Sequence, residues 1–473
     1  MLDIKDYPSV EAVLKYFEEI SKIPRPSGIT DKIADYLVGF ARERGLEYIR
    51  DGHDNVIIKK PATRGHESRP TVILQGHSDM VAAVKEGAER NIARDGVEIY
   101  RDGDFIKAYN TTLGADDGIA VAYALALLDS NDIPHPNLEC VFTSNEEVGL
   151  VGASALDASH LQGRIMINLD TGNESIFTVG CAGGVRVNLK LPVKRDAVCS
   201  SCYLLRVEGL LGGHSGTEIH KGRLNAIKIV GELLSVFGCI KILEIKGGEA
   251  DNAIPKNAEA IFCSERPLDE LIASARSVGE KYTNAEPDIK IEIKATEGSR
   301  SALSKEDSKK IVSLIVNAPT GVVKMSKEIK GLVDSSLNMG IAALDEDEFL
   351  LSFSVRSPRE DEKNEIAEKL ERLITELGGE SHRCGNYPGW AFKSDSPLRE
   401  LSVQIYKELF GKEPKILIIH AGLECGIIAD KIPGLDCISI GPNSHDVHTP
   451  RESLSLPSTE RVYNLIKSVL QRI

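Results

Sequence analysis

Long apolar runs are missing from this 473-residue sequence, and no segment of it could cross a bilayer as a helix. Low-complexity tracts are missing too, and aromatic residues make up only 5%, with one tryptophan. What remains is an ordinary globular composition, 42% hydrophobic and 27% charged, too long for a single core and suited to two or three domains. There is no excess of basic charge: 57 Lys and Arg stand against 71 Asp and Glu, a formal net charge of −14. Without clustered Lys and Arg, neither a nucleic-acid partner nor a membrane partner is expected. Cysteine is sparse and odd in number, nine in all, which argues against a disulfide framework and for reduced thiols. Cys199 and Cys202 form one C-x-x-C, "CSSC", but it precedes a strand-like "YLLRVEG" and has no second copy, so it reads as structurally neutral. The start, "MLDIKDYPSVEAVLKYFEEISKI", reads as an amphipathic helix without the basic region and apolar stretch of a signal peptide, and a cytoplasmic location is the default expectation.

Helix patterns alternate with short apolar strands in the first part of the chain: "KIADYLVGFARERG", "TVILQGHSDM", "IAVAYALALLDS", "LECVFTSNEE", "RIMINLD". Strands apolar on both faces between helices predict an α/β fold with a mainly parallel sheet, whose sites lie at the carboxyl ends of strands. After "VGCAGG" the style changes to period-two strands such as "VRVNLKL" and "IKIEIKA", which predicts an antiparallel sheet with helices on one face. Here Asn252 to Arg266 answers Asn338 to Arg356, each an Asn followed by a strand, an Arg-Pro or Arg-x-Pro and an acidic helix start, which predicts a duplicated αβ unit. From "WAFKSDSPLRELSVQIYKELFG" the first style returns. The expected organisation is a catalytic domain in two segments, 1–186 and 387–473, interrupted by an inserted α+β domain, 187–386.

Ligand-type residues close every strand of the first domain. "LQGHSDMV" ends in His77 and Asp79, "TTLGADDG" offers Asp116 and Asp117, "SNEEVG" sets Glu146 beside Glu147, and "INLDTGNE" supplies Asp170. Near the other end, "GPNSHDVHTP" adds His445, Asp446 and His448. Singly, each has a plain reading: Asp before Gly is a turn or helix cap, and paired glutamates are usually a solvated turn. Jointly, so many carboxylates at one sheet edge would repel one another unless a pair of divalent cations sat among them. Nitrogen and oxygen donors without thiolate suit zinc first, with manganese or cobalt as alternatives. At a strand end the chain can turn, so one glutamate of the pair can bind metal while the other serves as general base.

The motifs "LQGHSDMV", "TTLGADDGIAVA", "SNEEVGLVGA", "NLDTG", "VGCAGG", "GLLGGHSGTEIHKGRLNAI", "HAGLECGII" and "HTPRESLS", in this order, resemble the co-catalytic zinc peptidases and deacylases, the family of aminoacylase, carnosinase and glutamate carboxypeptidase. They lie nearest its dipeptidases and span almost the whole chain. The resemblance implies that His77 and Asp170 hold one metal, Glu147 and His448 the other, and that Asp116 bridges them. It makes Glu146 the general base and Asp79 the carboxylate that orients His77. Asp117 departs from the Asn of that subgroup. The inserted domain becomes a lid whose His214, in "GGHSG", reaches a substrate carbonyl. Arg266 and Arg356 become partners for a substrate carboxylate, and His420 and Glu424 shape the pocket or bind the substrate amine. The implied activity is hydrolysis of unblocked dipeptides by a homodimer, with an N-acyl amino-acid deacylase and a catalytically silent peptide binder as alternatives. A two-metal phosphoesterase is disfavoured because no Gly-rich phosphate cradle accompanies the carboxylates.

Overall fold

The run "VILQGH" has no polar alternation and forms a strand, Val72–His77, that is buried along its whole length. "LECVFT" does the same at Leu138–Thr143, as strands covered on both faces must. The structure, a computed structural model, describes residues 5–199, 201–296, 300–327, 329 and 331–473. The chain divides into two units, one of Met1–Cys181, Phe392–Ile418 and Leu423–Ile473, the other of Ala182–Ala391 and Ile419–Gly422. The expected limits of 187 and 386 fall five residues inside these. The reason at the first junction is that Gly183–Pro192 is already a strand of the second unit's sheet.

In the first unit an eight-stranded sheet runs Glu47–Arg50, Val56–Lys60, Leu138–Thr143, Val72–His77, Ile165–Asn168, Asp436–Ser439, Ile176–Cys181, Lys415–Ile419. The four central strands pair parallel, and those toward one edge pair antiparallel. The helix Ala115–Asp129 is apolar nearly all round and buried, packed between the helix Glu11–Ser21 and the strand Val72–His77. A helix without a polar face belongs inside a core, and this one carries Asp116 at its first turn. Among the described residues no helix is long and apolar enough to cross a membrane.

The second unit is built on an antiparallel sheet whose path runs Lys290–Thr296, Cys202–Glu208, Ala258–Ser264, Ile240–Gly247, Val333–Leu344, Glu348–Ser357, Gly183–Pro192, Glu380–Tyr387. Read outward from the centre, each half takes its strands in the same chain order: second, third, first, fourth. Each half also places one helix after its first strand, Ala226–Phe237 or Lys305–Asn317, and one after its third, Leu268–Glu280 or Glu360–Glu376. The duplication expected from the Asn and Arg-Pro pattern is therefore present in the topology. Its members are not equivalent in detail, since Asn338 lies within a strand while Asn252 precedes the short strand Ala253–Ile254.

Candidate active site

Three strand ends of the first unit converge. His77 is the last residue of Val72–His77, Glu146 and Glu147 follow Leu138–Thr143, and Asp170 follows Ile165–Asn168. Asp79 ties the first two together. Its Oδ1 lies 3.4 Å from His77 Nδ1 and accepts the Glu146 backbone N–H at 3.0 Å, while its Oδ2 accepts the Glu147 N–H at 3.4 Å and the Ser27 hydroxyl at 2.7 Å. One buried carboxylate thus fixes an imidazole and both glutamate peptides. Asn145, just before the pair, and His448 both adopt left-handed backbone, with φ of 53° and 64°. For non-glycine residues such φ values cost about 1 kcal/mol or more and cluster at functional sites.

Asp116 presents its two oxygens to different partners. Oδ1 is 3.2 Å from His77 Nε2 and Oδ2 is 3.2 Å from His448 Nε2, and the same His448 nitrogen is 2.8 Å from Glu147 Oε1. Donor atoms of His77, Asp116 and Asp170 lie within 4.8 Å of one another, as do those of Asp116, Glu147 and His448, and those of His77, Glu146 and Glu147. Asp116 is shared by the first two groups. All donors are imidazole nitrogen or carboxylate oxygen, a set that fits zinc, manganese or cobalt.

Two buried residues that sequence reasoning missed hold Asp116 in place. Glu452 accepts the backbone N–H groups of Leu113, Gly114, Ala115 and Asp116 at 2.8, 3.0, 2.8 and 3.4 Å. Arg25 donates to the carbonyls of Ser78, Asp79 and Gly114 at 3.0, 3.1 and 2.5 Å. Gly114 has φ of 69°, and a Cβ there would come within 2.7 Å of the Arg25 guanidinium, so only glycine lets the loop close on that side chain. The missed signal was the one acid of "HTPRES", whose four partners lie more than 330 positions away.

The electrostatics of the cluster are those of a site short of positive charge. Burial works to raise Asp116, but hydrogen bonds from His448 and His77 hold it well below the usual carboxylate range. Burial and the neighbouring Asp116 push Asp170 well above that range, burial does the same to Asp117, and burial pushes Glu146 up to about 8. Hydrogen bonds to Asp116 and Glu147 raise His448 to about 10. His77 is also raised, its carboxylate partners overcoming the burial that would lower it. Two imidazoles cannot balance six acids, so protons or divalent cations must share the site.

A second cluster lies in the other unit. His214 sits on a short strand paired with Ala253–Ile254, and its Nδ1 accepts the backbone N–H groups of Gly216 and Thr217, both at 3.1 Å. The neutral ring therefore carries its proton on Nε2. Burial, then the charge of Arg356, lowers the His214 pKa. The same two causes lower His420 to about 3, and its Nε2 is 2.7 Å from the Ser336 hydroxyl. Arg356 donates to the Tyr387 hydroxyl at 3.0 Å and has a buried Nε without a partner. Tyr387 is wedged in place, since a Cβ on Gly422 would come within 2.8 Å of its ring.

Two of the expected substrate contacts fall elsewhere. Arg266 is tied to the helix Leu268–Glu280 that follows it, donating to Glu270 at 3.4 Å and to the Ser274 hydroxyl at 3.0 Å, so its Arg-Pro, like the Arg-x-Pro of the second repeat, marks a helix start. Glu424 is 1% exposed and accepts from Gln75 Nε2 at 2.6 Å and Thr143 Oγ1 at 2.7 Å. Its carboxylate belongs to a polar network inside the first unit, which Gln75 extends to Asn168 at 2.6 Å.

Residues 73–472 match Peptidase family M20/M25/M40. The chain is 35% identical over 467 residues to the cytosol non-specific dipeptidase of Escherichia coli (strain K12), a match covering 97% of this chain and 96% of the relative. The crystal structure of aminoacylhistidine dipeptidase from Vibrio alginolyticus is similar with a TM-score of 0.91 at 32% identity, covering 98% of this chain and 96% of that one. Aminopeptidase PepT from Bacillus cereus ATCC 10987 shares the fold at a TM-score of 0.57 and 17% identity, with 98% of each chain covered. The family match begins in the strand that ends at His77 and runs into the last helix, so it takes in every strand-end donor, and the chain belongs to peptidase family M20/M25/M40.

Proposed function

We propose that the chain is a metal-dependent dipeptidase that hydrolyses the peptide bond of unblocked dipeptides, of Xaa-His type or of broad specificity. The observation that carries this reading is Asp116, shared by two donor groups with Glu146 beside them. The dipeptidase names of the Escherichia coli and Vibrio alginolyticus proteins, at 35% and 32% identity, support it.

His77 and Asp170 would hold one divalent ion and Glu147 and His448 a second, both sharing Asp116. When bound, such ions supply Lewis acidity that acidifies a water and polarises a carbonyl. Glu146 takes the proton of the attacking water and later returns it to the leaving amine. Without metal, burial raises its carboxyl to about 8, and cations beside it would bring that down toward a value suited to taking a proton near neutrality. Asp79 keeps His77 in orientation. From the second unit, His214 offers its Nε2–H to the developing oxyanion, and Arg356 offers its guanidinium to the substrate carboxylate. Glu424 takes a positioning part in this scheme, through Gln75 and Thr143, and Arg266 takes none. Zinc is the first choice of metal on donor chemistry, the cytosol the compartment, and a homodimer the assembly, the last to be checked by light scattering.

The test is hydrolysis of an Xaa-His dipeptide and its N-acetylated counterpart by metal-stripped protein, before and after zinc or manganese is added back. Cleavage of the free dipeptide alone, restored by metal, is expected. Preference for the acetylated compound would move the assignment to a deacylase, and no metal-dependent cleavage of either would leave a peptide binder.

A further inference from the structure

Cys202 and Cys263 stand directly opposite one another on neighbouring antiparallel strands of the second unit. Both are buried, at 1% and 8% exposure, and their sulfurs are 3.1 Å apart. Directly opposed residues of such a pair have Cα atoms about 4.5 to 5.5 Å apart, inside the span of a disulfide. A third thiol, Cys199, ends the strand Arg195–Cys199, is only partly buried, packs against the cluster that holds Cys202 and Cys263, and has its carbonyl 3.8 Å from the Cys202 sulfur. All nine cysteines are free. Among the described residues no group of donors close enough to share a cation contains a cysteine, so the trio reads as a redox site and not as a metal site.

We propose that Cys199, Cys202 and Cys263 form an oxidisable relay, in which Cys199 is the entry thiol and a Cys202–Cys263 disulfide is the product. The oxidant is a small-molecule disulfide of the glutathione type. Burial keeps Cys202 and Cys263 from meeting the oxidant, which leaves first attack to the more exposed Cys199. As thiolate, Cys199 attacks one sulfur of the oxidant, breaking its S–S bond, releasing one small thiolate and forming a mixed disulfide. Cys263 then attacks the Cys199 sulfur, gives its proton to solvent and expels the second small thiolate. Finally Cys202 attacks Cys263, gives up its proton and returns Cys199 as a thiolate. In sum two protein thiols are oxidised to one disulfide, and one small disulfide is reduced to two thiols.

The experiment treats full-length, metal-loaded protein with glutathione disulfide, quenches in acid, alkylates, digests and reads masses, so its outcome does not depend on the dipeptidase reading. Two of the nine cysteines should escape alkylation through a bond to Cys263, while exposed Cys239 reports that the oxidant was active. Cys199 and Cys202 lie between the same pair of arginines, Arg195 and Arg206, so variants assign the bond. Cys202→Ser should accumulate a Cys199–Cys263 bond, and Cys199→Ser should form the Cys202–Cys263 bond about tenfold more slowly. Full alkylation of Cys202 and Cys263 while Cys239 is glutathionylated would overturn the proposal. So would a Cys199→Ser protein that oxidises at the parent's rate.

Discussion

In the first unit Asp79, Asp116, Asp117, Asp170, Glu146 and Glu147 crowd around two imidazoles. In the second, His214 and His420 share the field of Arg356, which donates to the Tyr387 hydroxyl and forms no ion pair among the described residues. Each unit buries charge without enough of the opposite sign, a costly arrangement unless something else brings it. The signs fit the proposed reading, in which cations complete the acidic cluster and a substrate carboxylate with a developing oxyanion completes the basic one. Substitutions in the two units should therefore fail in different ways, one losing metal or base and the other losing turnover with metal intact.

The largest effect is expected at Glu146. Glu146→Gln keeps the size of the side chain and removes the base, so kcat should fall by about a thousandfold or more while metal content measured by elemental analysis stays at the parent level. Activity near the parent's would remove Glu146 as the base. Next comes His214→Ala, which takes away the Nε2–H donor and should lower kcat by about a hundredfold to a thousandfold, again with full metal content. Loss of metal in that variant would break the division of labour between the units.

The strand-end donors were legible because parallel strands are apolar on both faces, so a polar residue where the run stops stands out; His77, Glu146 and Asp170 were found that way. The duplicated sheet was legible from its strand alternation and repeated Arg-Pro. Glu452 and Arg25 were not, because what marks them is a set of backbone partners brought together only by the fold. Arg266 and Arg356 look alike in sequence, yet one ends in a helix-start ion pair and the other points an unpartnered Nε into a buried space. Glu424 opens a helix after a loop, and only its contacts to Gln75 and Thr143 place it in a network below the surface.

The unforeseen Glu452 gives a sharper test of the acidic unit. It touches no proposed ligand side chain and acts on Asp116 through the backbone. Glu452→Gln would set an NH2 group against the N–H groups it now accepts, loosening the loop, and should weaken metal binding by about ten- to a hundredfold, as outer supports of metal ligands do. Competition with a chelator measures this directly. Unchanged affinity with lowered stability would make Glu452 a structural clamp only.

The smallest effect is a pH dependence of the acidic unit, read without metal and above pH 7, where the lowered His214 and His420 of the second unit are neutral both folded and unfolded and add nothing. Glu146 moves from about 4.5 unfolded to about 8 folded, so its contribution to stability is full below about 4.5 and is lost as pH rises through 8. Asp170 and Asp117 are raised and act in the same direction. His448 moves from about 6.5 to about 10, so its contribution is full below about 6.5 and is lost on the way to 10. Asp116 is depressed, and its contribution is lost only as pH falls through the acid range, which leaves it constant here. Metal-stripped protein should then melt lower by a few degrees on going from pH 7 to pH 9. Ligands must be deprotonated to bind metal, so the stabilisation added by zinc should grow over the same interval. Thermal scans with and without zinc across that range should show the two curves diverging with rising pH; curves that stay parallel would mean that the acidic cluster does not gather around cations.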